Sequence, residues 1–454
     1  MRFFDDNVLL YSRAAEKLYD GAKDYPIIDY HCHLDPRAIA ENDRITDIGR
    51  LWLEADHYKW RAMRLCGVDE YYITGDAPYK VKFMKYAEIM PMLCGNPLYY
   101  FTHFELKQIF NITEPLCAET AEKIYEKANG RLSSLTVADL LDKYKVSLVA
   151  TTDDPADSLK YHGIYGKTAV VPTFRPDRYY CPDEDTLTEL GKAAGIEIKT
   201  LPDMLKALTD RLDFFISKGC FMSDHGFEHF PTEFISEDEA NALFLQRKTL
   251  DEKQKSALFG YILRYLLKAY AERGMTAQLH FSVRRNVNSE MFEITGKDSG
   301  LDVIGSPEDP ADVERFLNSI PDKDRPPIIL YALNDVPVRA LASICGAFRG
   351  VRIGAAWWFN DTVSGIRRNL DIISEYSVLG TSPGMLTDSR SFAGYSRFDF
   401  FRRILCNYAG DLVAKGEYDE DAAKELIYDI CFKNAETLAK NSITYRKLTE
   451  DKTV

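Results

Sequence analysis

The feature that most limits what this chain can fold into is a recurrence. Short apolar, β-favouring runs return again and again between stretches with helical spacing. There are eight: Pro26 to His33, Val146 to Thr152, Ala169 to Phe174, Gly219 to Ser223, Met275 to His280, Pro327 to Ala332, Val351 to Ala356 and Pro383 to Thr387. Each after the first is preceded by helical sequence, and strand–helix alternation at that count predicts an α/β fold, a parallel (β/α)8 TIM barrel. The text between the first two runs is far longer than a connecting helix requires. It is mostly helical and rich in aromatics and methionine, so residues 36–135 are expected to form an inserted helical subdomain. Residues 1–35 and 136–454 are left for the barrel and its C-terminal helices.

Helical spacing supports this division. Tyr11, Ala14, Ala15 and Leu18 predict a lead-in helix, and Leu201, Leu205, Leu208, Leu212 and Phe215 form one apolar stripe. Ser236 with Glu239 predicts a capping box opening a helical region that reaches about Arg273. Two further helices, at roughly 395–415 and 419–440, are expected to finish the chain. The stripe of Trp52, Trp60, Met63, Leu65, Phe83, Met84, Tyr86, Met90 and Met92 reads as core packing.

Charge narrows the function. With 57 Lys plus Arg against 70 Asp plus Glu, the formal charge is −13, which argues against nucleic acid or an anionic membrane as partner. No window approaches a membrane span, and the first residues lack the pattern of a signal peptide. Nine cysteines without a Cys-x-x-Cys pair suit reduced thiols and a cytoplasmic location.

In such barrels the reactive groups sit where the strands end. The ends read His31 and His33; Asp153; Arg175; Asp224 and His225; His280; Asn334; Trp357 and Trp358; Asp388 and Arg390. In a continuous strand Asp29, His31 and His33 would share one face, with Cys32 turned away into packing. Two imidazoles from the first strand and Asp388 from the last become neighbours when a barrel closes. That set suits one divalent metal ion with an open position, as catalytic sites require. His280 or His225 could supply a further ligand or hydrogen-bond a substrate. The group Asp56-His57-Tyr58-Lys59-Trp60-Arg61 concentrates more reactive side chains than an ordinary helix turn needs.

Several of these segments together resemble the uronate (glucuronate) isomerase family of the amidohydrolase superfamily, from Asp5 to about Asn434. They are Asp29 to Pro36, Asp56 to Arg64, Thr173 to Asp177, Ser223 to Gly226, Gln278 to His280 with Arg285 and Asn286, Trp357 to Asp361, and Met385 to Phe392. The Trp-Trp-Phe-Asn-Asp and Leu-Thr-Asp-Ser-Arg strings are the most specific. The resemblance implies an amidohydrolase-type barrel and an aldose–ketose isomerase acting on D-glucuronate and D-galacturonate. It also implies metal ligation by His31, His33 and Asp388, and active-site roles for His57, Tyr58, Arg175, Arg390 and the tryptophan pair. One departure stands out: where family members carry a run of asparagines, this chain reads Arg285-Asn286-Val287-Asn288.

The chemistry fits these residue types. Aldose–ketose interconversion moves a proton between C2 and C1 through an enediol, which needs a base; Asp388 and Tyr58 are the candidates. Zinc is the expected ion, with manganese as the alternative. Arg175 and Arg390 offer planar forks for a sugar carboxylate. Trp357 and Trp358 offer flat walls for its C–H face, and His57 suits ring opening. A small uronic acid as substrate and a homo-oligomeric assembly complete the expectation. A metal-dependent hydrolase or deaminase, with Asp388 activating water, is the alternative on the same barrel.

Overall fold

The protein is described by a computed structural model that covers residues 3–450. Seven parallel strands form one curled sheet: β1 (Ile27–Asp29), β2 (Val146–Asp153), β3 (Thr168–Phe174), β4 (Met222–Gly226), β5 (Thr276–Phe281), β6 (Ile328–Ala332) and β7 (Val351–Ile353), hydrogen-bonded in that order. These are the first seven predicted runs, with shifted ends. Most are apolar throughout because both faces are covered. Leu148 and Ala150, Ala169 and Val171, and Ile329 and Tyr331 face the barrel interior. Val149, Val170, Ile328 and Leu330 pack outward on the helices.

The eighth expected strand, Pro383 to Thr387, is not a strand. Its backbone closes the barrel against β1 by other means. The Asp29 carboxylate accepts from Thr387 N–H at 2.9 Å and from its hydroxyl at 2.6 Å. Just beyond, Asp388 N–H donates to His31 C=O at 3.1 Å and His33 N–H to Ser389 C=O at 3.0 Å. One side chain and two backbone bonds thus do at this seam what a full ladder does elsewhere.

Four further expectations are corrected. β1 ends at Asp29, so His31, at a bend, and His33 lie beyond it and strict alternation does not place them. No helix precedes β3; a hairpin strand, Gly163–Tyr165, turns through Gly166 (φ +58°) and pairs antiparallel with it. The lead-in helix is Arg13–Ala22, and Tyr11 is exposed ahead of it. The two expected closing helices form, as Ser396–Ala414 and as Glu420–Tyr428 running on through the π-helical turn Asp429–Lys433 into Asn434–Ala439, but a further helix, Ile443–Glu450, follows them. Ala435, Ala439, Tyr445 and Leu448 from the last two close the barrel floor against the interior residues.

Residues 36–135 are helical, with Ile48–Leu53, His57–Leu65, Tyr79–Ile89, Pro97–Phe110 and Ala121–Leu132 as the main pieces. Trp52, Met63, Phe83, Tyr86 and Met90 are buried, whereas Leu65 and Met92 are exposed. This segment shares one core with the outer barrel helices: Tyr100, Phe101 and Phe104 pack their rings on Phe400. The Ser236–Glu239 box forms, but the helical region behind it breaks into Glu237–Leu245 and Glu252–Glu272.

Candidate active site

The seam between the first and last barrel positions builds the centre of the site. Asp388 sits in the left-handed backbone region (φ +46°), which only a surrounding clamp sustains for a side chain of this kind. That turn brings its Oδ1 to 3.3 Å from His31 Nε2 and 3.0 Å from His33 Nε2. Its Oδ2 accepts from the Trp357 indole N–H at 2.9 Å. Trp357 is therefore a positioning donor as well as a wall. Burial pushes the Asp388 carboxyl up, but hydrogen bonds from the two histidines outweigh it and hold the group well below the usual range.

A second cluster adjoins the first through His31. His280 Nδ1 and Asp224 Oδ1 lie 2.7 Å apart, and Asp224 Oδ2 meets Arg175 Nη1 at 3.1 Å. Arg175 Nε donates to Asp177 at 2.9 Å. With Nδ1–H committed to Asp224, His280 keeps a lone pair on Nε2, and burial favours its neutral form. The His280 ring lies flat on Tyr331, at 4.4 Å and 10°. The ligand atoms of His31, His33 and Asp388, and separately those of His31, Asp224 and His280, all fall within 4.8 Å of one another. Buried His31 Nδ1 and His280 Nε2 have no hydrogen-bond partner among the described residues. Burial keeps His33 and His280 neutral, while at His31 the carboxylates of Asp224 and Asp388 outweigh burial and raise the imidazole. With the ionised Asp388 these are donors that a divalent ion would take by displacing protons.

These groups line a cleft of about 580 Å³ at the C-terminal mouth of the barrel, walled by Trp357, Trp358, Arg285 and Arg390. His57 enters from the inserted helices. Asp56 caps its helix by accepting from Tyr58 and Lys59 N–H, and burial pushes the His57 imidazole down to about 4. Tyr58 stacks behind it, ring centroids 4.7 Å apart, and lines an adjoining hollow instead of the cleft. Its hydroxyl is buried with no hydrogen-bond partner among the described residues, and burial holds the phenol well above its ordinary value. The Arg397 guanidinium lies over the Tyr58 ring at 4.8 Å and donates to Thr387 C=O at 2.6 Å.

Of the residues singled out from sequence, His31, His33, His57, Arg175, His280, Trp357, Trp358, Asp388 and Arg390 come together here. His225 does not. β4 runs on through Gly226, so alternation turns Asp224 inward and His225 outward, where it bonds Tyr180 and Ser223. Asp153 pairs with His162, and Asn334 donates to Gly305 C=O. Val287, at the departure from the asparagine run, points to solvent, while Arg285 and Asn286 line the cleft. Sequence reasoning missed Asp177, Asp298 and Asp302, which pair with Arg175, Arg390 and Arg285; of these only Asp298 meets an arginine from another loop. Asp224 was marked as a strand end, and a correct strand length would have turned it inward.

A parallel α/β barrel carrying a His-x-His pair, a distant aspartate and facing arginines at its mouth defines an enzyme of the amidohydrolase type, built around a metal-binding donor set. The glucuronate isomerase family model matches residues 1–438. The uronate isomerase of Shouchella clausii is 40% identical over 457 residues, covering 95% of this chain and 97% of its own. The solved uronate isomerase of Thermotoga maritima superposes with a TM-score of 0.93 at 32% identity, covering 96% of this chain and all of that one. The glucuronate isomerase of Caulobacter crescentus gives 0.91 at 26% identity, with 96% and 97% covered. The chain belongs to the glucuronate isomerase family. The hydrolase alternative finds no support in that match.

Proposed function

We propose that this chain interconverts D-glucuronate and D-fructuronate, and D-galacturonate and D-tagaturonate, by moving a proton between C2 and C1. Family membership supports isomerisation of a uronic acid. The observation that carries the reading into this site is the meeting of Asp388, His31 and His33 in one cleft with two arginine forks. His31, His33 and Asp388 would hold one divalent ion, zinc before manganese, with His280 Nε2 facing the same space. Such an ion supplies Lewis-acid stabilisation of developing negative charge.

The chain's own residues do the rest. Arg390 and Arg175 orient the substrate carboxylate. Asp388 takes the C2 proton and returns it to C1, its Oδ2 aimed by the Trp357 indole. His57, neutral by burial, suits the oxygen-bound protons of ring opening. Tyr58 stays a phenol under its burial, which favours a donor role for it over a base. The tryptophan walls exclude water from the enediol. A cytoplasmic setting accords with nine free cysteines, and no helix among the described residues is long and apolar enough to cross a membrane.

Purified protein given D-glucuronate should yield D-fructuronate. Substrate deuterated at C2 should turn over with a primary isotope effect and release part of its label to water. Asp388→Asn should abolish that exchange, while Tyr58→Phe should slow turnover and leave slow exchange detectable. Absence of turnover on both uronates would refute the activity. Complete transfer of deuterium to C1, insensitive to both substitutions, would replace proton transfer by a hydride shift.

A further inference from the structure

Arg390 is already holding a carboxylate, and the carboxylate is the protein's own. Its Nη2 lies 3.3 Å from Asp298 Oδ1. Its Nε is buried and has no hydrogen-bond partner among the described residues. The guanidinium is thus engaged at one corner only, and its Nε–Nη2 edge is incompletely satisfied. A free carboxylate would fill that edge with two parallel N–H···O bonds, a stronger arrangement than one contact of 3.3 Å.

Asp298 stands on a backbone built to give way. It belongs to the excursion that leaves β5 through Val283–Arg284 and returns through Val303–Ile304, two short strands paired antiparallel. Gly296 (φ +73°) and Gly300 (φ +86°) flank it, and Asp298 itself has φ +62°. The turn is tied down on its C-terminal side: Arg64 donates to Ser299 C=O, and Asp302 accepts from Arg285 at 2.7 Å and from Asn286 N–H at 2.8 Å. Asp298 makes no such anchoring bond through its own backbone among the described residues, and its side chain is about half exposed. Displacing it costs one partly exposed ion pair and leaves the rest of the excursion in place.

We propose that Asp298 is an internal stand-in for the substrate carboxylate, holding Arg390 in register until an anionic sugar displaces it. This rests on the reading of Arg390 as a carboxylate anchor. Asp298 is then a specificity-determining residue. A neutral sugar cannot release Arg390 from it, whereas a uronate can, at the expense of some affinity. A partly exposed ion pair of this kind lowers apparent affinity by roughly two- to fivefold.

The test compares wild type, Asp298→Asn and Asp298→Ala. The probes are D-gluconate, a sugar acid without a carbonyl to isomerise, and neutral sorbitol. Tryptophan fluorescence reports binding through Trp357 and Trp358 in the cleft wall. Both variants should bind gluconate about two- to fivefold more tightly, with a matching fall in KM for D-glucuronate and no gain for sorbitol. Adding Arg390→Lys to Asp298→Asn should erase the gain, because it acts through that guanidinium. Unchanged or weaker gluconate binding in both variants, with glucuronate still turned over, overturns this proposal alone. An equal gain for sorbitol also overturns it. A wild type that neither binds gluconate nor converts glucuronate overturns the uronate reading, and this proposal with it.

Discussion

His103 gives a sharp test of how the inserted helices support the site. On the helix Pro97–Phe110, its Nδ1 lies 2.7 Å from Tyr99 C=O, and its Nε2 accepts from Leu116 N–H at 3.1 Å. The two partners fix one neutral tautomer, since a second ring proton would point at the Leu116 N–H. Burial accordingly lowers this imidazole from the ordinary 6.5 to about 4. The unfolded chain therefore binds more protons than the folded one between those values. Stability is fully present above pH 6.5 and is lost as pH falls towards 4. The difference amounts to about 2 kcal/mol at pH 5 and about 3 kcal/mol at full protonation. His103→Gln keeps an acceptor for Leu116 and removes the titration. Urea unfolding at pH 7 and pH 5 should show the wild type losing about 2 kcal/mol more than the variant across that interval. The site should feel it too. Phe101 on the same helix lies 5.0 Å from the Arg397 guanidinium, which covers Tyr58. Equal losses in both proteins would refute the assignment of a neutral, doubly hydrogen-bonded His103.

Three further outcomes are expected. Metal analysis of gently purified protein should find about one equivalent of a divalent ion, and His31→Ala with His33→Ala should lower both occupancy and turnover; full occupancy in the double variant would remove the assignment. Arg175→Lys keeps the charge but loses the fork that joins Asp224 to Asp177, so kcat/KM on uronates should fall by roughly 1–3 kcal/mol equivalent; wild-type kinetics would put carboxylate recognition elsewhere. At Gly354 a Cβ would come within 2.2 Å of the Tyr331 ring on which His280 lies. Gly354→Ala should therefore cost about 1–3 kcal/mol in thermal stability and lower kcat as well. A variant unchanged in both would show that the ring yields freely.

Much of this architecture was readable because buried parallel strands write themselves as continuous apolar runs. Val146 to Asp153 and Thr168 to Phe174 need no alternation to be recognised. What failed to show was backbone held by side chains. Pro383 to Thr387 reads as one more apolar run but forms no strand, and the Asp29 carboxylate holds its end instead. His225 was misplaced for a related reason. The turn chemistry of Asp224-His225-Gly226 reads as a strand's end, yet tertiary pairing extends the strand through it. The grouping of His31, His33 and Asp388 was legible from residue types at strand ends. The aspartates that restrain its arginines were not: Asp298 meets Arg390 only after folding, and Asp177, though two residues from Arg175, is aimed at it by a turn that the sequence pattern does not specify.

The closing seam has a consequence for how the molecule comes into being. Asp29 and Thr387 meet across 358 positions of chain, so the donor set that His31, His33 and Asp388 form has no existence in any fragment lacking either margin. The centre can assemble only after the two margins of the chain have met, at the entropy of closing a loop of that length. An ion captured there would fasten margin to margin, and its binding energy would become closure energy for the whole ring. Withdrawal of the ion by a chelator should then register first as loosened protection of Asp388 and Ser389 amides against hydrogen exchange, ahead of any change in the helices outside.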